Sequence, residues 1–368
     1  MANERASEPT RAEWGSRGPA SERVGESEGR SPSEKYDVVV VGAGPVGLAC
    51  AIEAQRERLQ ARIIEKGSLV NSIVGYPARM EFFSTPDLIE IGGYPFPIQG
   101  YKPSREEAVE YYRGVAAQEK LDIGLYERVV AVRGEAGHFT VETDKQEYSA
   151  RNVIVSTGFF DEPNLLNVPG ENLPKVTHYY REPYLYVRQK VAVIGARNSA
   201  AKAALDCYRH GADVTLIVRS AALSDKVKYW IKPDLQNRIK EGSIKAHFNT
   251  TVEEILPASL RLRTPNGMVE IDNDWVLAMT GYRPDYRFLE SLNIQIGDDP
   301  FRTPIYDETT FETSRRGVYL AGTVCGGLKT GRWFIENGRF HARQIAKHMA
   351  HRRVEPVLFD KIHWKTEE

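Results

Sequence analysis

Several things this sequence has little of narrow what it can be. It carries three cysteines in 368 residues, Cys50, Cys207 and Cys325, widely spaced and with no C-x-x-C pair. That excludes a disulfide framework and a cysteine zinc site, and it fits a reducing compartment. No other metal constellation is legible. Charge of one sign is also missing: 49 basic residues face 50 acidic ones, a net charge of −1. No global field draws the chain to nucleic acid or to a membrane surface, and neither is expected as a partner. The longest uncharged run, Val38 to Ile52, falls short of the roughly 20 residues a spanning helix needs, and three glycines and a proline interrupt it. Residues 1–35 lack the apolar core of a signal peptide, and their seven acids do not suit a transit peptide. They read as a disordered tail, with the cytoplasm as the expected location.

With 41% hydrophobic residues, the chain can fill two domains. The uncharged run is the clearest motif. "YDVVVVGAGPVGLACAIEA" reads as a buried parallel strand, Val38 to Val41, a glycine turn, and a helix from about Gly47. Gly42, Gly44 and Gly47 satisfy G-x-G-x-x-G. The first glycine allows the tight turn, the second lets backbone approach a pyrophosphate, and the third permits close helix packing. Pro45 and Val46 belong to the same helix start, whose N–H groups would face the anion. Such a turn alone is sometimes only a turn. Glu65, at the end of the next strand "ARIIEKG" and followed by Lys66, adds an acceptor for two ribose hydroxyls and makes the unit a dinucleotide site.

The unit is echoed once. "RQKVAVIGARNSAAKAAL" keeps Gly195, Asn198, Ser199 and Ala200, with Arg197 in place of the middle glycine, either over the phosphates or in solvent. Its following strand, "ADVTLIVRS", ends on Arg219, which we expect at the position Glu65 holds in the first unit. A carboxylate there repels a 2′-phosphate and a guanidinium binds one bidentately, so the pairing implies FAD on the first unit and NADPH on the second. Lys226 and Lys228 either add to that charge or are ordinary surface lysines. "YERVVAVRGEAGHFTVETDKQEYSARNVIVSTG" alternates like a three-strand antiparallel layer and closes on Thr157-Gly158; the second unit closes alike on Thr280-Gly281. "VYLAGTVCGG" then reads as a strand and a glycine turn placing Gly322 and Thr323 near the flavin, before a long C-terminal helix. The expected class is α/β with two Rossmann-like domains. The FAD domain covers 36–165 and 291–352, the NADPH domain 166–290, and 353–368 form a tail.

These motifs resemble the FAD/NAD(P)-binding fold of the thioredoxin reductase type over roughly residues 36–350. "GYPARMEFFSTPDLIEIGGYPF", "LPKVTHYYREPYLY", "AMTGYRPDYRFL" and "FIENGRFHARQIA" are similar to the bacillithiol disulfide reductase (YpdA-like) family. The resemblance implies an NADPH-dependent flavoprotein that reduces an oxidised low-molecular-weight thiol without a C-x-x-C pair. Two departures stand out. The family commonly has a redox-active cysteine just before the third glycine, where this chain has Val46, and Thr323 stands where many related flavoproteins have an aspartate. Cys50 reads as a small buried hydrophobe and Cys207 as structural. Cys325, on a turn near a helix start that would lower its pKa, is the weak candidate nucleophile. The acceptor is therefore a small-molecule disulfide, or a redox carrier protein such as ferredoxin or flavodoxin that needs no cysteine, or there is none and the chain senses NADPH without turnover. His178 and His341 are either proton donors near the flavin or ordinary core residues. Glu312, Arg315 and Arg316 read as a solvated turn. A homo-oligomer is compatible with everything above.

Overall fold

The computed structural model describes residues 35–355. Nearly all of the expected N-terminal tail, and most of the C-terminal one, lie outside the described residues. The first sheet contains β1 (Lys35–Val41), β2 (Ala61–Ile64), β3 (Ile123–Gly124), β4 (Val129–Glu135), β5 (His138–Thr143), β6 (Glu147–Val155) and the strand Val318–Leu320. Its order is β3-β2-β1-β6-β5-β4, with Val318–Leu320 also on β6. Val38, Val39 and Val40 are fully buried because β1 runs parallel between β2 and β6. A strand covered on both faces reads as a continuous β-branched run. The antiparallel layer β4-β5-β6 is present, and β6 is shared: antiparallel to β5, parallel to β1.

The chain then passes through β7 (Glu162–Pro163) and β8 (Val176–Thr177) into β9 (Lys190–Ile194), β10 (Asp213–Ile217), β11 (Lys245–His247), β12 (Thr251–Ile255), β13 (Ser259–Thr264), β14 (Gly267–Asp272), β15 (Trp275–Ala278) and β16 (Tyr282–Arg283). A parallel sheet in the order β11-β10-β9-β15-β8 forms around β9, and β12, β13 and β14 make an antiparallel layer. The strands β7 and β16, at the two junctions between the sheets, pair with each other. One buried cluster gathers residues 36–155 with 286–349, and two others draw only on 180–279 and 192–276. The class is α/β with the mixed sheets of the FAD/NAD(P)-binding fold.

Three local expectations are corrected. The first helix starts at Pro45 rather than near Gly47, with the proline at a position where its missing N–H costs nothing. The expected long C-terminal helix falls into two pieces, Ile335–Gly338 and His341–Met349. Asn337 secures the start of the first piece, its Oδ1 accepting from the Phe334 N–H at 2.7 Å and its Nδ2 donating to the Arg332 carbonyl at 2.9 Å, and the break falls after it, where the Phe340 N–H turns to the Asn337 carbonyl at 3.2 Å. Arg315 is not in a solvated turn. Its guanidinium donates to the carbonyls of Leu292, Val132 and Gly134 and lies over the Phe139 ring, while Glu312 accepts from the Gly317 N–H.

Candidate functional site

The two glycine turns are built by the same hydrogen bonds. After β1 the Gly42 N–H donates to the Ile64 carbonyl at 2.8 Å, and after β9 the Gly195 N–H donates to the Ile217 carbonyl at 3.0 Å. Both glycines have positive φ, +107° and +144°. A Cβ at Gly42 would lie 2.9 Å from the Ser156 carbonyl oxygen, and one at Gly195 2.6 Å from that of Met279. Each turn is thus pressed against the end of a neighbouring parallel strand. At Gly47 a Cβ would meet the Gly42 carbonyl oxygen at 2.0 Å, which is the close helix packing expected of the third glycine.

Gly44 behaves differently. Nothing lies within 4 Å of where its Cβ would be, and it caps the helix Pro45–Arg56 without a side-chain hydrogen bond. Space in front of backbone at a helix N-terminus, with no side chain filling it, fits a pyrophosphate. Glu65 closes the same site. Its carboxylate accepts from the Ala43 N–H and the Gly67 N–H, both at 2.8 Å, so the group is fixed against the turn. Burial raises its pKa, and the two backbone bonds pull the other way. Lys66 pairs with Asp161 at 2.9 Å.

The remaining expected residues of this site converge. Val46 packs against Gly322 and Gly338, leaving 3.1 to 3.3 Å for a Cβ at either glycine. Gly158 faces the Thr323 hydroxyl, 3.4 Å from where its own Cβ would stand. Thr157 follows Ser156, whose hydroxyl lies 3.0 Å from both the Val41 and Gly42 carbonyls. Sequence reasoning passed over this role of Ser156. A serine before Thr-Gly carries no distinguishing signal until the turn is seen beside it.

In the second unit, Asn198 has a structural job: Nδ2 donates to the Lys226 carbonyl at 3.0 Å and Oδ1 accepts from the Lys228 N–H at 2.9 Å, tying the loop to the helix start. Ala200 is buried under the turn, Arg197 and Ser199 are exposed, and Gly281 lies beside Asn164. The placement of Arg219 needs correction. The Glu65 N–H donates to the Gly124 carbonyl and the Val218 N–H donates to the His247 carbonyl, so Val218, not Arg219, matches Glu65. Arg219 is one residue further, matching Lys66, and is exposed. The carboxylate of the first unit is replaced by a buried apolar group, with the cation next to it.

Cys325 does not have the surroundings expected of a nucleophile. It is fully buried in the turn Gly322–Gly326, and burial pushes its thiol well above the usual range. Cys50 is likewise buried and raised, and burial pushes Cys207 up to about 12. His341 sits under the same turn. Its Nδ1 accepts from the Gly322 N–H at 3.1 Å, placing the ring proton on Nε2, and the Cys325 Sγ is 3.8 Å away. The imidazole stacks on Phe311 at 3.9 Å and meets Trp333 edge-on at 4.4 Å. Burial lowers its pKa to about 3, so it is neutral and supports the turn from below. His178 pairs with Glu171 at 3.2 Å. Among the described residues no helix is long and apolar enough to cross a membrane, and no His, Cys, Asp and Glu group could hold a metal.

Residues 39–322 match the pyridine nucleotide-disulphide oxidoreductase family. The chain is 39% identical over 316 residues to the bacilliredoxin reductase Bdr of Bacillus subtilis, covering 85% of this chain and 97% of that protein. The solved structure of bacillithiol disulfide reductase Bdr (YpdA) from Bacillus cereus matches with a TM-score of 0.85 and 39% identity, over 87% of this chain and 100% of that one. A thioredoxin reductase from T. acidophilum, 22% identical over 86% of this chain and 98% of that one, shares the fold with a TM-score of 0.69.

Proposed function

The chain belongs to the pyridine nucleotide-disulphide oxidoreductase family, an enzyme family using a flavin and a nicotinamide cofactor, and on that premise we propose that it is an NADPH-dependent, FAD-containing reductase of a low-molecular-weight disulfide such as bacillithiol disulfide. The observation that carries the cofactor assignment is the contrast between the two turns. Glu65 stands at the first strand end, and Val218 followed by Arg219 at the second. A carboxylate held by two backbone N–H groups keeps oxygen lone pairs for ribose hydroxyls, which FMN could not use because it has no adenosine. An exposed guanidinium with no carboxylate at the strand end suits a 2′-phosphate.

The overall reaction is NADPH + H⁺ + RSSR → NADP⁺ + 2 RSH. The bound flavin supplies the two-electron relay between nicotinamide and disulfide. The protein's own residues position and exclude. Gly44 leaves room for the pyrophosphate, Gly158 and Thr323 flank one side of the site, and His341 fixes the Gly322 amide without offering a charge. Val46 presents only methyl groups at the position where the resembled family commonly has a cysteine, and the chain's three thiols are buried and held protonated. The disulfide is therefore reduced without a mixed disulfide to the protein.

The same absence of an accessible thiol favours one second reading, in which the reduced flavin serves a ferredoxin or flavodoxin. One experiment separates the two. The protein is reduced anaerobically by NADPH, then mixed with bacillithiol disulfide or with oxidised ferredoxin. Reoxidation by the disulfide, with two thiols formed per NADPH, is the expected result. Reoxidation by the carrier alone establishes the second reading.

A further inference from the structure

The segment from Tyr76 to Phe83 belongs to the FAD part of the chain, yet it touches the second unit at both ends of the helix Asn198–Arg209, which starts at the second glycine turn. At the far end the Ala78 N–H donates to the Arg181 carbonyl at 2.8 Å. Beside it, Arg79 Nη1 is 3.4 Å from His210 Nε2, Nη2 donates to the Tyr184 hydroxyl, and the guanidinium lies over the Tyr184 ring at 5.2 Å. Toward the near end Phe83 meets Trp230 at 6.0 Å and lies under Lys202 of the helix, 5.3 Å from the ring centre. A helix of 12 residues is about 18 Å long and stiff, so holding its last turn aims its first.

The contact of Arg79 with His210 suits one protonation state only. His210 caps the C-terminus of the helix, and its Nδ1 lies 2.8 Å from the Asp206 carbonyl oxygen. That oxygen can only accept, so Nδ1 carries the ring proton and Nε2 of the neutral ring is a bare acceptor for Arg79. A second proton goes to Nε2 and sets N–H against N–H and charge against charge. Asp206, one turn back, pulls the other way: its carboxylate is 3.3 Å from Nδ1, and the Tyr180 hydroxyl donates to it at 2.5 Å. Arg209 is paired with Asp234 at 2.5 Å, and Tyr184 meets the imidazole edge-on at 5.3 Å. Burial lowers the Lys202 pKa against the pull of Glu81 and Asp206, so Asp206 is shared between that ammonium and the imidazole. Arg79 is exposed and has no carboxylate partner among the described residues.

We propose that Arg79 is a positioning residue for hydride transfer: through neutral His210 it holds the helix Asn198–Arg209, and with it NADPH, against the FAD domain, and a proton on His210 releases it. This deepens the proposed function and rests on its NADPH-to-flavin step.

The test follows the flavin-loaded protein and its variants Arg79→Met and His210→Gln from pH 8 to pH 5.5. Two quantities are read: the stopped-flow rate of flavin reduction at saturating NADPH, and hydrogen exchange of the Ala78 amide, expressed as protection relative to intrinsic exchange at each pH. Glutamine offers Arg79 an amide oxygen and does not titrate. The unaltered protein should lose about fivefold or more in both readouts as pH falls through the imidazole range. His210→Gln should hold its pH 8 values throughout, and Arg79→Met should be slow and weakly protected at every pH. A merely structural role would lower the melting temperature and leave the pH step in place. Three results overturn the proposal: no step in the unaltered protein, the same step in His210→Gln, or an Arg79→Met protein as fast and as protected at pH 8 as the unaltered one. If His210→Gln does not fold, Arg79→Met decides. Failure of the underlying function looks different: no flavin is reduced at any pH, or reduced flavin yields no thiol from bacillithiol disulfide, and the Ala78 amide then decides the clasp alone.

Discussion

The amide of Glu65 donates to the Gly124 carbonyl at 2.8 Å and the amide of Val218 donates to the His247 carbonyl at 2.9 Å, so a carboxylate and an isopropyl group stand at the same place in two equivalent units. Val218 is fully buried, and the exposed Arg219 follows it. On the proposed function, the choice between a bare ribose and a phosphorylated one would be divided over these two adjacent positions: one removes the repelling charge and the other adds the attracting one.

Replacing Arg219 by alanine should therefore weaken NADPH and spare NADH. A charge-assisted hydrogen bond is worth about 1.5–3 kcal/mol, roughly ten- to hundredfold in kcat/KM. Steady-state kinetics with both nucleotides measure it. Equal losses would assign Arg219 a structural role.

The glycines of the first turn should separate cofactor retention from folding. Gly44→Leu places a side chain in open space at an ordinary backbone angle, φ −71°, so the protein should fold with its melting temperature little changed but release its flavin. Gly42→Ala puts a Cβ 2.9 Å from the Ser156 carbonyl at φ +107°, and should cost about 1–3 kcal/mol of stability. Flavin absorbance after gel filtration and thermal melts of both variants, each compared with the unaltered protein, make the comparison. A Gly44→Leu protein that keeps its flavin would mean that the pyrophosphate lies elsewhere.

His341 should make stability depend on pH. Its pKa is 6.5 when exposed and about 3 in the folded chain. Between those values the unfolded state binds the extra proton, so this contribution to stability is complete above pH 6.5 and falls as pH drops. The loss is about 1.4 kcal/mol per pH unit. Urea melts should therefore lose about 2 kcal/mol from this group between pH 7 and pH 5, the full slope being reached only below about pH 5.5, and His341→Gln should lack this component even if it is less stable overall. Identical slopes would show that the imidazole is already charged or exposed.

Much of this could be read from the residues. The run Val38–Val41 is continuous and apolar because β1 is covered on both faces, and Gly42, Gly47 and Gly195 are glycines for reasons of contact that spacing alone conveys. The one-residue offset of Arg219 was legible in the spacing, because Val218 follows Gly195 by the same number of residues as Glu65 follows Gly42, and the pairing of the strand ends with β3 and β11 makes it visible. The environment of Cys325 was not legible. A turn with three glycines looks open, yet it is closed from below by His341, Phe311 and Trp333, which arrive from distant segments.

The central claim is that this flavoenzyme reduces its disulfide with no thiol of its own. The most direct measurement is thiol formation from bacillithiol disulfide and NADPH by the flavin-loaded variant in which Cys50, Cys207 and Cys325 are all alanine, alongside stopped-flow reduction of its flavin by NADPH. Removing three buried sulfurs leaves small cavities, so the variant is assayed well below its melting temperature. The account predicts that both rates persist within about threefold of the unaltered protein, a change of under about 1 kcal/mol. Flavin reduction that persists while thiol formation collapses would contradict it and return a cysteine to the reaction.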